Sequence, residues 1–483
     1  MNLKLIFKTI SIIMFILSIF MLFPAFVALL YQESMEFQSF LITIVLIFFI
    51  FSYVYFFCRN EKRSTLSIKD GFILVALSWT FASLFGAIPF WISGSIPAFV
   101  DSFFETISGF TTTGASILTD IESIPKSILF WRSLIHWLGG MGIVVLTVAI
   151  LPILGIGGLQ LLKAEAPGPT VDKITPRITE TAKILWFIYL GLTIAETLLL
   201  MVGGLDLFDA LTHTFGTLAT GGFSPKNNSV GYYNSAYIDA IITIFMIMAG
   251  INFTLHYRLI TGKVKYLLND TELKAYLLIF LCTTLIITLN LYSNIYNTIG
   301  QSLRYASFQV ASILTTTGFA TTDYEKWPFL SKALLFLMMA IGGCSGSTGG
   351  GIKVIRIITL FKQGLIDMKY LIHPNGIFPL KLSGNPIKKE IVHTISSFFF
   401  LYIFFLILVT MVVSTAGQDI LTSFTTALAT VGNIGPGFGK IGPTANYAFF
   451  PGYVKWFLSF AMLAGRLEIY TILILFNPSF WKR

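Results

Sequence analysis

The stretch from Leu314 to Tyr324, LTTTGFATTDY, places three consecutive threonines and a glycine between two long apolar segments. Similar stretches begin at Phe110 (FTTTGAS), Leu218 (LATGGFS) and Leu428 (LATVGNI). The anchors of this pattern, spaced by 108, 96 and 114 residues, are Gly114, Gly222, Gly318 and Gly432. Self-similarity at a nearly fixed spacing is the signature of an internal repeat. The sequence therefore predicts four related units in one chain.

The composition of the chain predicts a membrane protein. Of 483 residues, 55% are apolar and only 11% are charged, which is too little charge to cover a soluble surface. About 20 apolar residues are needed to cross roughly 30 Å of hydrocarbon. Ten spans are predicted, beginning near Leu5, Phe37 and Phe72, covering 128–155, 184–203, 236–260, 275–298, 393–416 and 454–476, and including one broken span around 330–361.

The distribution of basic residues predicts the orientation. Alternate connections carry 23 of the 32 Lys and Arg residues, and such connections face the cytoplasm. Both termini are therefore predicted to be cytoplasmic. The net charge of +9 follows from membrane topology and needs no nucleic-acid partner. A docking face for a cytosolic protein is the alternative explanation of the same residues.

Each glycine stretch follows a short apolar segment of about a dozen residues. Asp101, Asp209 and Asp419 stand at the same distance before Gly114, Gly222 and Gly432. A dozen helical residues cover only about 18 Å, so each segment is predicted to be a half-helix that enters the membrane and turns back. Non-helical backbone at that depth must be buried in protein or line a cavity.

Four such loops around one axis predict a cation filter. Carbonyl and hydroxyl oxygens replace the water shell of a cation, and the C-terminal ends of the half-helices attract positive charge. The alternative is that the loops only pack between helices. The predicted potassium-binding filter residues are Thr112, Thr113, Gly114, Thr220, Gly221, Gly222, Thr316, Thr317, Gly318, Thr430, Val431 and Gly432. Behind them, Glu105, His213 and Gln309 are predicted to brace the half-helices by hydrogen bonds, with a proton relay as the alternative.

A glycine-rich segment, IGGCSGSTGGGIK, runs from Ile341 to Lys353. Each glycine disfavours helix by about 1 kcal/mol relative to alanine, so the span is predicted to break there. The segment lacks the Gly-Lys-Ser/Thr of a nucleotide-binding loop. One interpretation is close helix packing through every fourth residue; the other is an intramembrane loop that obstructs the pore. The predicted gate glycines are Gly342, Gly343, Gly346, Gly349, Gly350 and Gly351.

Arg466 lies near the middle of the last predicted span. A charge at that depth costs about 3 kcal/mol on insertion scales, so the guanidinium should face water or a partner. Either it forms a structural ion pair with Glu468 or another carboxylate, or it lines the pore as part of the gate. No carboxylate pair, His/Cys cluster or activated nucleophile stands out in the sequence, so no enzyme is predicted.

The arrangement resembles a known family. Two N-terminal spans followed by four units carrying TTTGA, ATGGF, TTTGF and ATVGN-IGPGFG are similar to the TrkH-type subunit of the Trk/Ktr/HKT superfamily of potassium transporters. The resemblance runs through the repeats from about residue 68 to 483, and the hairpin before residue 68 is similar to TrkH rather than to the shorter KtrB. It implies a homodimer in the bacterial inner membrane, one pore per subunit and a cytosolic, nucleotide-binding TrkA-type partner. It also implies that Arg466 is in the pore and that Gly114, in place of serine, favours potassium.

The sequence thus predicts an all-α polytopic membrane protein with four potassium-channel-like helix/pore-loop/helix repeats and an N-terminal two-helix hairpin. The predicted units are the hairpin 1–67 and the repeats 68–160, 161–262, 263–375, which holds the gating loop, and 376–483. Potassium ion is the predicted substrate, with no organic cofactor. A sodium-tolerant or sodium-coupled carrier of the same fold and a non-conducting scaffold subunit are the alternatives.

Overall fold

A computed structural model describes residues 1–59, 66–142 and 178–482. Within these ranges, six helices are long and apolar enough to cross a membrane, and the number rises to eight if two sharply bent helix pairs each count as one span. The second half of the predicted span 128–155 lies outside the described residues, as do the basic residues Lys62, Arg63, Lys163, Lys173, Arg177 and Arg483. The all-helical membrane fold class is confirmed.

The N-terminal hairpin precedes the repeats. Its first arm consists of Leu3–Phe20 and Leu22–Leu30, and its second arm is Ser34–Cys58. Apolar side chains on the second arm, including Phe49 and Tyr53, are largely exposed, which suits a surface that faces lipid tails.

Four long helices, here called leading helices 1 to 4, open the repeats. They are Ile68–Gly86 (continued by Ile88–Ile92), Ile178–Val202, Thr271–Leu291 and Lys389–Ser414. The first starts at a capping box in which Ser67 and Asp70 satisfy each other's backbone N–H groups. Next to this start, Asn2 N donates to Asp70 Oδ1 at 3.0 Å and Lys69 Nζ donates to the Lys482 carbonyl at 2.9 Å. Both ends of the described chain therefore lie on the same side of the molecule.

Four short helices, half-helices 1 to 4, follow the leading helices. They are Phe99–Phe110, Leu207–Leu218, Ile299–Leu314 and Ile420–Val431. Asp206, Thr298 and Asp419 cap the last three by accepting a backbone N–H. Their C-terminal halves are almost completely buried, whereas in leading helices 2 to 4 less than half of the apolar stretch is buried inside the protein. The non-helical backbone that follows each half-helix is therefore surrounded by protein.

A second set of helices, following helices 1 to 4, leaves the loops. They are Lys126–Gly140, Ala236–Ala249, Phe329–Met339 and Gly452–Arg466. The spans predicted over 236–260 and 454–476 are each interrupted by a sharp bend, which the sequence analysis did not predict. The chain bends by 101° between Ala249 and Phe253 and by 113° between Arg466 and Tyr470. The break predicted within 330–361 is confirmed, because no helix is present from Ala340 to Lys353.

The remaining elements are short or lie beyond these breaks. Further α-helices are Phe253–Ile260, Val264–Asn269, Val354–Ile372, Tyr470–Leu473 and Pro478–Trp481. Single turns of 3-10 helix are Ser229–Tyr233, Tyr324–Lys326, Gly439–Ile441 and Ile474–Phe476. One antiparallel two-stranded ribbon pairs Lys381–Leu382 with Asn385–Pro386, with Lys381 opposite Pro386 and Leu382 opposite Asn385.

Candidate functional site

The loops after the four half-helices share one backbone conformation. In each loop, an amide N–H donates at 2.8 Å to a half-helix carbonyl five residues earlier. The four pairs are Thr113 to Ser108, Gly221 to Gly216, Thr317 to Ser312 and Ile434 to Ala429. The next residue in each loop is a glycine with positive φ: Gly114 at 77°, Gly222 at 79°, Gly318 at 81° and Gly435 at 93°. These four are called the ring glycines below.

This pattern corrects the predicted register of the fourth copy by three residues. Thr430 and Val431 lie in the last turn of half-helix 4, and Gly432 ends it with φ of −78°. Asp419 likewise corresponds to Asp206, the cap of half-helix 2, and not to Asp209. The residues that match the predicted filter of the other copies are therefore Asn433, Ile434 and Gly435.

The four loops close into a ring. In every copy the ring glycine lies where any side chain would overlap a carbonyl oxygen of the following copy. The neighbours are Gly114 with Gly221, Gly222 with Thr317, Gly318 with Ile434, and Gly435 with Thr113. Because the last pair returns to the first copy, the chain of contacts is cyclic. Only glycine combines this close approach with a positive φ.

The threonine side chains at the ring do not all face the same way. The hydroxyls of Thr113 and Thr317 are hydrogen-bonded to those of Thr111 and Thr315 at 2.8 and 2.7 Å. Thr111 and Thr315 in turn donate to carbonyls of their own half-helices. The side chains of Thr113 and Thr317 are therefore held by the half-helices behind the ring. These two residues contribute a backbone carbonyl to the ring.

A second layer of residues with positive φ lies below the ring. Each of these residues stands two positions before a ring glycine, on the side of the half-helix. These base residues are Thr112 at 53°, Thr220 at 55°, Thr316 at 60° and Asn433 at 53°. All four are buried. For threonine, this backbone region is sterically unfavourable, so the surrounding packing must impose it.

The predicted bracing of the half-helices is confirmed. Glu105 accepts from Ser116 Oγ and from the N–H of Ile117, both at 2.9 Å. His213 Nε2 lies 3.0 Å from Ser224 Oγ, and Gln309 Nε2 donates to the Phe319 carbonyl at 3.3 Å. Glu105 and Gln309 thus bond to the backbone just beyond a ring glycine, and His213 lies within hydrogen-bond distance of a side chain there.

An ion pair connects the first and second copies. Arg132, on following helix 1, donates from Nε to Glu105 Oε1 at 2.6 Å. Its Nη1 donates to the carbonyl of Ser224 at 3.0 Å, and its guanidinium lies over the ring of Phe223. Two buried charges are thus paired and also hydrogen-bonded to both loops, which is the condition under which such a pair is tolerated.

The glycine-rich segment forms a loop below the ring. Its backbone bonds to the break after following helix 2: Cys344 N donates to the Gly250 carbonyl at 2.9 Å, and the Gly346 carbonyl accepts from Phe253 at 3.0 Å. Gly342 N donates to the Ile352 carbonyl at 2.8 Å, which closes the loop at its neck. Since the segment is not helical, the interpretation as packing through Gly342, Gly346 and Gly350 on one helix face is wrong.

The tip of this loop contacts the base residues. Gly350 N donates to Thr316 Oγ1 at 2.7 Å. A side chain on Gly350 would collide with Gly432 and Asn433, and one on Gly349 would lie 3.1 Å from the Thr315 carbonyl. The two glycines therefore permit the loop to approach the third and fourth copies from below.

Lys353 and the two remaining gate glycines complete the loop. Lys353 Nζ donates to the Gly349 carbonyl. Gly351 has a φ of 64° and lies beside Gly342 at the neck, while Gly343 lies against Gly250. The predicted gate glycines are thus all part of one compact loop.

Arg466 ends following helix 4 and reaches across to the loop. Its Nη1 donates to the Thr348 carbonyl of the loop at 2.8 Å and to Thr112 Oγ1 at 3.1 Å. Its Nη2 donates to the carbonyls of Gly139 and Gly140 at 2.6 and 3.1 Å. One guanidinium therefore joins the base layer, the glycine loop and following helix 1.

Glu468 pairs with Arg356 of helix Val354–Ile372, so the expectation of a pair between Glu468 and Arg466 is not met. The backbone turns sharply here: Tyr470 N donates to the Glu468 carbonyl at 2.5 Å, and Ile469 has φ and ψ of 54° and −51°. This is a strained γ-turn. The ion pair between Arg356 and Glu468 joins the helix that follows the glycine loop to the bend that follows Arg466.

A cavity of about 1100 Å³ lies below the loop. Its lining includes Gly350, Lys353 and Arg466 together with Lys265 and Lys388. Among the described residues, no group of three or more His, Cys, Asp or Glu side chains is arranged to hold a metal ion. The ring and the base layer are built from neutral residues, and their oxygen atoms are backbone carbonyls, threonine hydroxyls and the amide of Asn433.

Sequence reasoning missed Gly435, Asn433 and Arg356. For Gly435 a signal was present, because the fourth copy reads GNIGPGFG and offers a second glycine three residues after Gly432. Alignment on the helix caps Asp206 and Asp419 would have selected it. Arg356 carries no such signal, since its partner Glu468 is far away in the sequence.

Comparison with known proteins agrees with this architecture. The family model for TrkH, described as a cation transport protein, matches residues 36–483. The chain is 42% identical to the Trk system potassium uptake protein TrkH of Salmonella typhimurium and 41% identical to that of Escherichia coli K12, in both cases over 100% of each chain. It is 37% identical to the Escherichia coli protein TrkG over 96% of each chain.

A solved structure shows the same fold. The crystal structure of the potassium transporter TrkH from Vibrio parahaemolyticus superposes with a TM-score of 0.89 at 39% sequence identity, over 100% of both chains. The match extends from the N-terminal hairpin through the fourth loop. The chain therefore belongs to the TrkH family of cation transport proteins.

Proposed function

We propose that this chain mediates potassium uptake across the bacterial inner membrane, with ions passing through the ring of loops. The observation that carries the proposal is the cyclic contact of four ring glycines with four carbonyl oxygens. Backbone carbonyls arranged in a ring are the ligands that replace the water shell of potassium. The names of the relatives as potassium uptake proteins support this choice of ion.

The half-helices contribute to the attraction of the ion. Each ends at the ring, so the negative ends of four helix dipoles converge there. The filter of this proposal consists of Thr112, Thr113, Gly114 and their counterparts in the other copies, with Asn433, Ile434 and Gly435 in the fourth. The bracing bonds of Glu105, His213 and Gln309 hold the spacing of the ring.

The glycine loop and Arg466 form the gate. Gly350 N–H and the Arg466 guanidinium donate to the hydroxyl oxygens of Thr316 and Thr112, which are oxygens that a passing cation would approach. The positive charge of Arg466 also repels a cation leaving the ring. Withdrawal of the loop and of the guanidinium would connect the ring to the cavity below.

We also infer the setting in the cell. A homodimer and a cytosolic TrkA-type regulatory partner are supported by membership of the family, and basic residues such as Lys265 and Lys388 line the cavity on the side we assign to the cytoplasm. Cytoplasmic termini are supported by the positive-inside distribution and by the proximity of Lys69 to Lys482. The repeat boundaries 68–160, 161–262, 263–375 and 376–483 stay predictions.

The test is cation uptake by the purified chain in proteoliposomes. Potassium-loaded vesicles are expected to take up radioactive rubidium, with potassium competing far better than sodium. Equal competition by sodium would favour a sodium-tolerant carrier, and a dependence of rubidium uptake on sodium would favour a sodium-coupled one. If a variant with a shortened glycine loop also shows no uptake above protein-free vesicles, the chain is a non-conducting scaffold subunit.

A further inference from the structure

Asn433 breaks the symmetry of the base layer. The corresponding residues of the other copies are threonines with nearly the same backbone conformation, φ of 53° to 60°. Asparagine adopts this region more readily than threonine does, so backbone geometry allows it. Its longer side chain, however, brings an amide to a position where the other copies have only a hydroxyl.

The orientation of this amide is determined by its neighbours. Nδ2 of Asn433 donates to the Met462 carbonyl at 3.0 Å and to Thr113 Oγ1 at 2.9 Å. The Met462 carbonyl can only accept, so it must face the NH2 group. Thr113 is free to accept because its own proton is used toward Thr111, which donates to the Ile107 carbonyl. The amide oxygen therefore points away from both partners.

That oxygen is buried and has no hydrogen-bond partner in the described part of the chain. The side chain of Asn433 is fully buried, and Oδ1 receives no N–H or O–H. It lies 3.3 Å from the position of a Cβ on Gly350 and 3.1 Å from that of a Cβ on Gly465. It is thus beside the tip of the glycine loop, where the gate contacts the base layer.

The other base oxygens are treated differently in this conformation. Thr316 Oγ1 accepts from Gly350, and Thr112 Oγ1 accepts from Arg466. The gate therefore supplies a donor to two base oxygens and none to Asn433 Oδ1. A buried carbonyl oxygen without a donor is unfavourable and is rare in native proteins. A cation that arrives when the loop withdraws would satisfy it.

We propose that Asn433 Oδ1 is a ligand for a partly dehydrated alkali cation at the inner end of the filter, and that it helps to determine which cation is accepted. The inference rests on the proposed function. An amide oxygen is chemically equivalent to the backbone carbonyls of the ring. Thr112, Thr220 and Thr316 supply the remaining oxygens of this layer, so the site has three hydroxyls and one amide.

Two variants separate the ligand from the backbone. Asn433→Gly removes the amide at a position where glycine tolerates positive φ. Asn433→Thr gives all four copies the same base residue. The matched control is Thr430→Ala, in the last turn of half-helix 4, where the hydroxyl bonds only to carbonyls of its own helix.

The measurement is the ratio of sodium to potassium concentrations that halve rubidium uptake in proteoliposomes. We expect both Asn433 variants to change this ratio by roughly threefold or more and Thr430→Ala to leave it unchanged. An unchanged ratio in both Asn433 variants, or an equal change in Thr430→Ala, would overturn the inference. If wild-type protein transports no alkali cation, the proposed function fails first.

A second readout does not depend on transport. The melting temperature of the detergent-solubilised wild type is expected to rise with potassium more than with sodium, because an ion that binds only the folded state stabilises it. Asn433→Gly and Asn433→Thr should reduce the difference between the two ions, while Thr430→Ala retains it. A full difference in either folded Asn433 variant would contradict the assignment.

Discussion

Replacing Arg466 with alanine removes the guanidinium that joins the glycine loop to the base layer. In this structure, which we propose to be the closed conformation, Arg466 donates to the Thr348 carbonyl of the loop and to Thr112 Oγ1. It also donates to the carbonyls of Gly139 and Gly140. The first two bonds oppose withdrawal of the loop, so their loss is expected to favour the conducting conformation.

The size of the effect follows from two terms. A hydrogen bond from a charged donor contributes about 1.5–3 kcal/mol. Each 1.4 kcal/mol changes a population ratio by a factor of about ten. Loss of the Thr348 bond alone therefore raises the fraction of protein with a withdrawn loop about ten- to a hundredfold. Removal of the charge lowers the barrier to a cation some 4 Å away by about 1–4 kcal/mol at effective dielectric constants of 80 to 20. Both terms have the same sign. Rubidium uptake should therefore rise about tenfold or more.

The fold should tolerate this change. The carboxylate of Glu468 is paired with Arg356, so Arg466→Ala does not leave that carboxylate buried without a cation. Gly140 lines the cavity of about 1100 Å³, so water can replace the lost donor at that carbonyl. We expect a melting temperature close to that of the wild type.

The assay is rubidium uptake per folded protein, measured beside the melting temperature. Arg466→Lys keeps the charge but has fewer donors in a different geometry, and its uptake should lie between wild type and Arg466→Ala. Arg258→Ala is the matched control, because Arg258 lines the same cavity and its guanidinium lies over the ring of Tyr266. A large fall in melting temperature with unchanged or lower uptake would refute the gate role of Arg466.

Three further predictions concern the ring, the loop and the Arg356 pair. Gly114→Ser and Gly318→Ser should each lower the potassium-to-sodium permeability ratio, because any side chain there overlaps a ring carbonyl; an unchanged ratio in both would exclude the ring as the filter. Shortening Gly346–Gly350 should raise rubidium uptake in the absence of a regulatory partner. Unfolding of the variant with uptake that stays partner-dependent would contradict the gating role of the loop. Arg356→Gln should lower the free energy of unfolding by about 3–5 kcal/mol and lower the melting temperature. The charge-reversed pair Arg356→Glu/Glu468→Arg should partly restore both. Equal stability of the wild type, the single variant and the double variant would contradict this prediction.

The half-helices and three of the four loops could be predicted from local sequence. Half-helices 1 to 3 end at Phe110, Leu218 and Leu314, directly before the Thr/Gly stretches, because a short apolar segment followed by small residues contains both the length and the stop signal. The fourth stretch misled the alignment, since Thr430-Val431-Gly432 resembles Thr316-Thr317-Gly318. What distinguishes Gly435 is its contact with Thr113, more than 300 residues away, and no local pattern contains that information.

The bends in the following helices could not be predicted from hydropathy. An average over a window of about 20 residues is insensitive to a break of three residues, and each bent pair taken as a whole is apolar enough to cross a membrane. Gly250 gave a weak signal at the first bend. The second bend places the β-branched Ile469 at positive φ, which local preference opposes. Tertiary contacts such as the Arg356–Glu468 pair hold it there.

In the mechanism that we propose, the closed gate and a bound ion compete for the same oxygens. The hydroxyl oxygens of Thr112 and Thr316 accept hydrogen bonds from Arg466 and Gly350 when the loop is in place, and both would turn toward a cation when it is not. An ion that binds the base layer therefore favours the withdrawn loop by its differential affinity for the two conformations. The oxygen Oδ1 of Asn433 adds to this difference in affinity. It has no hydrogen bond with the closed gate, so binding an ion there breaks no existing bond. Potassium on the outer side should accordingly increase the fraction of protein with a withdrawn loop, independently of any cytosolic partner.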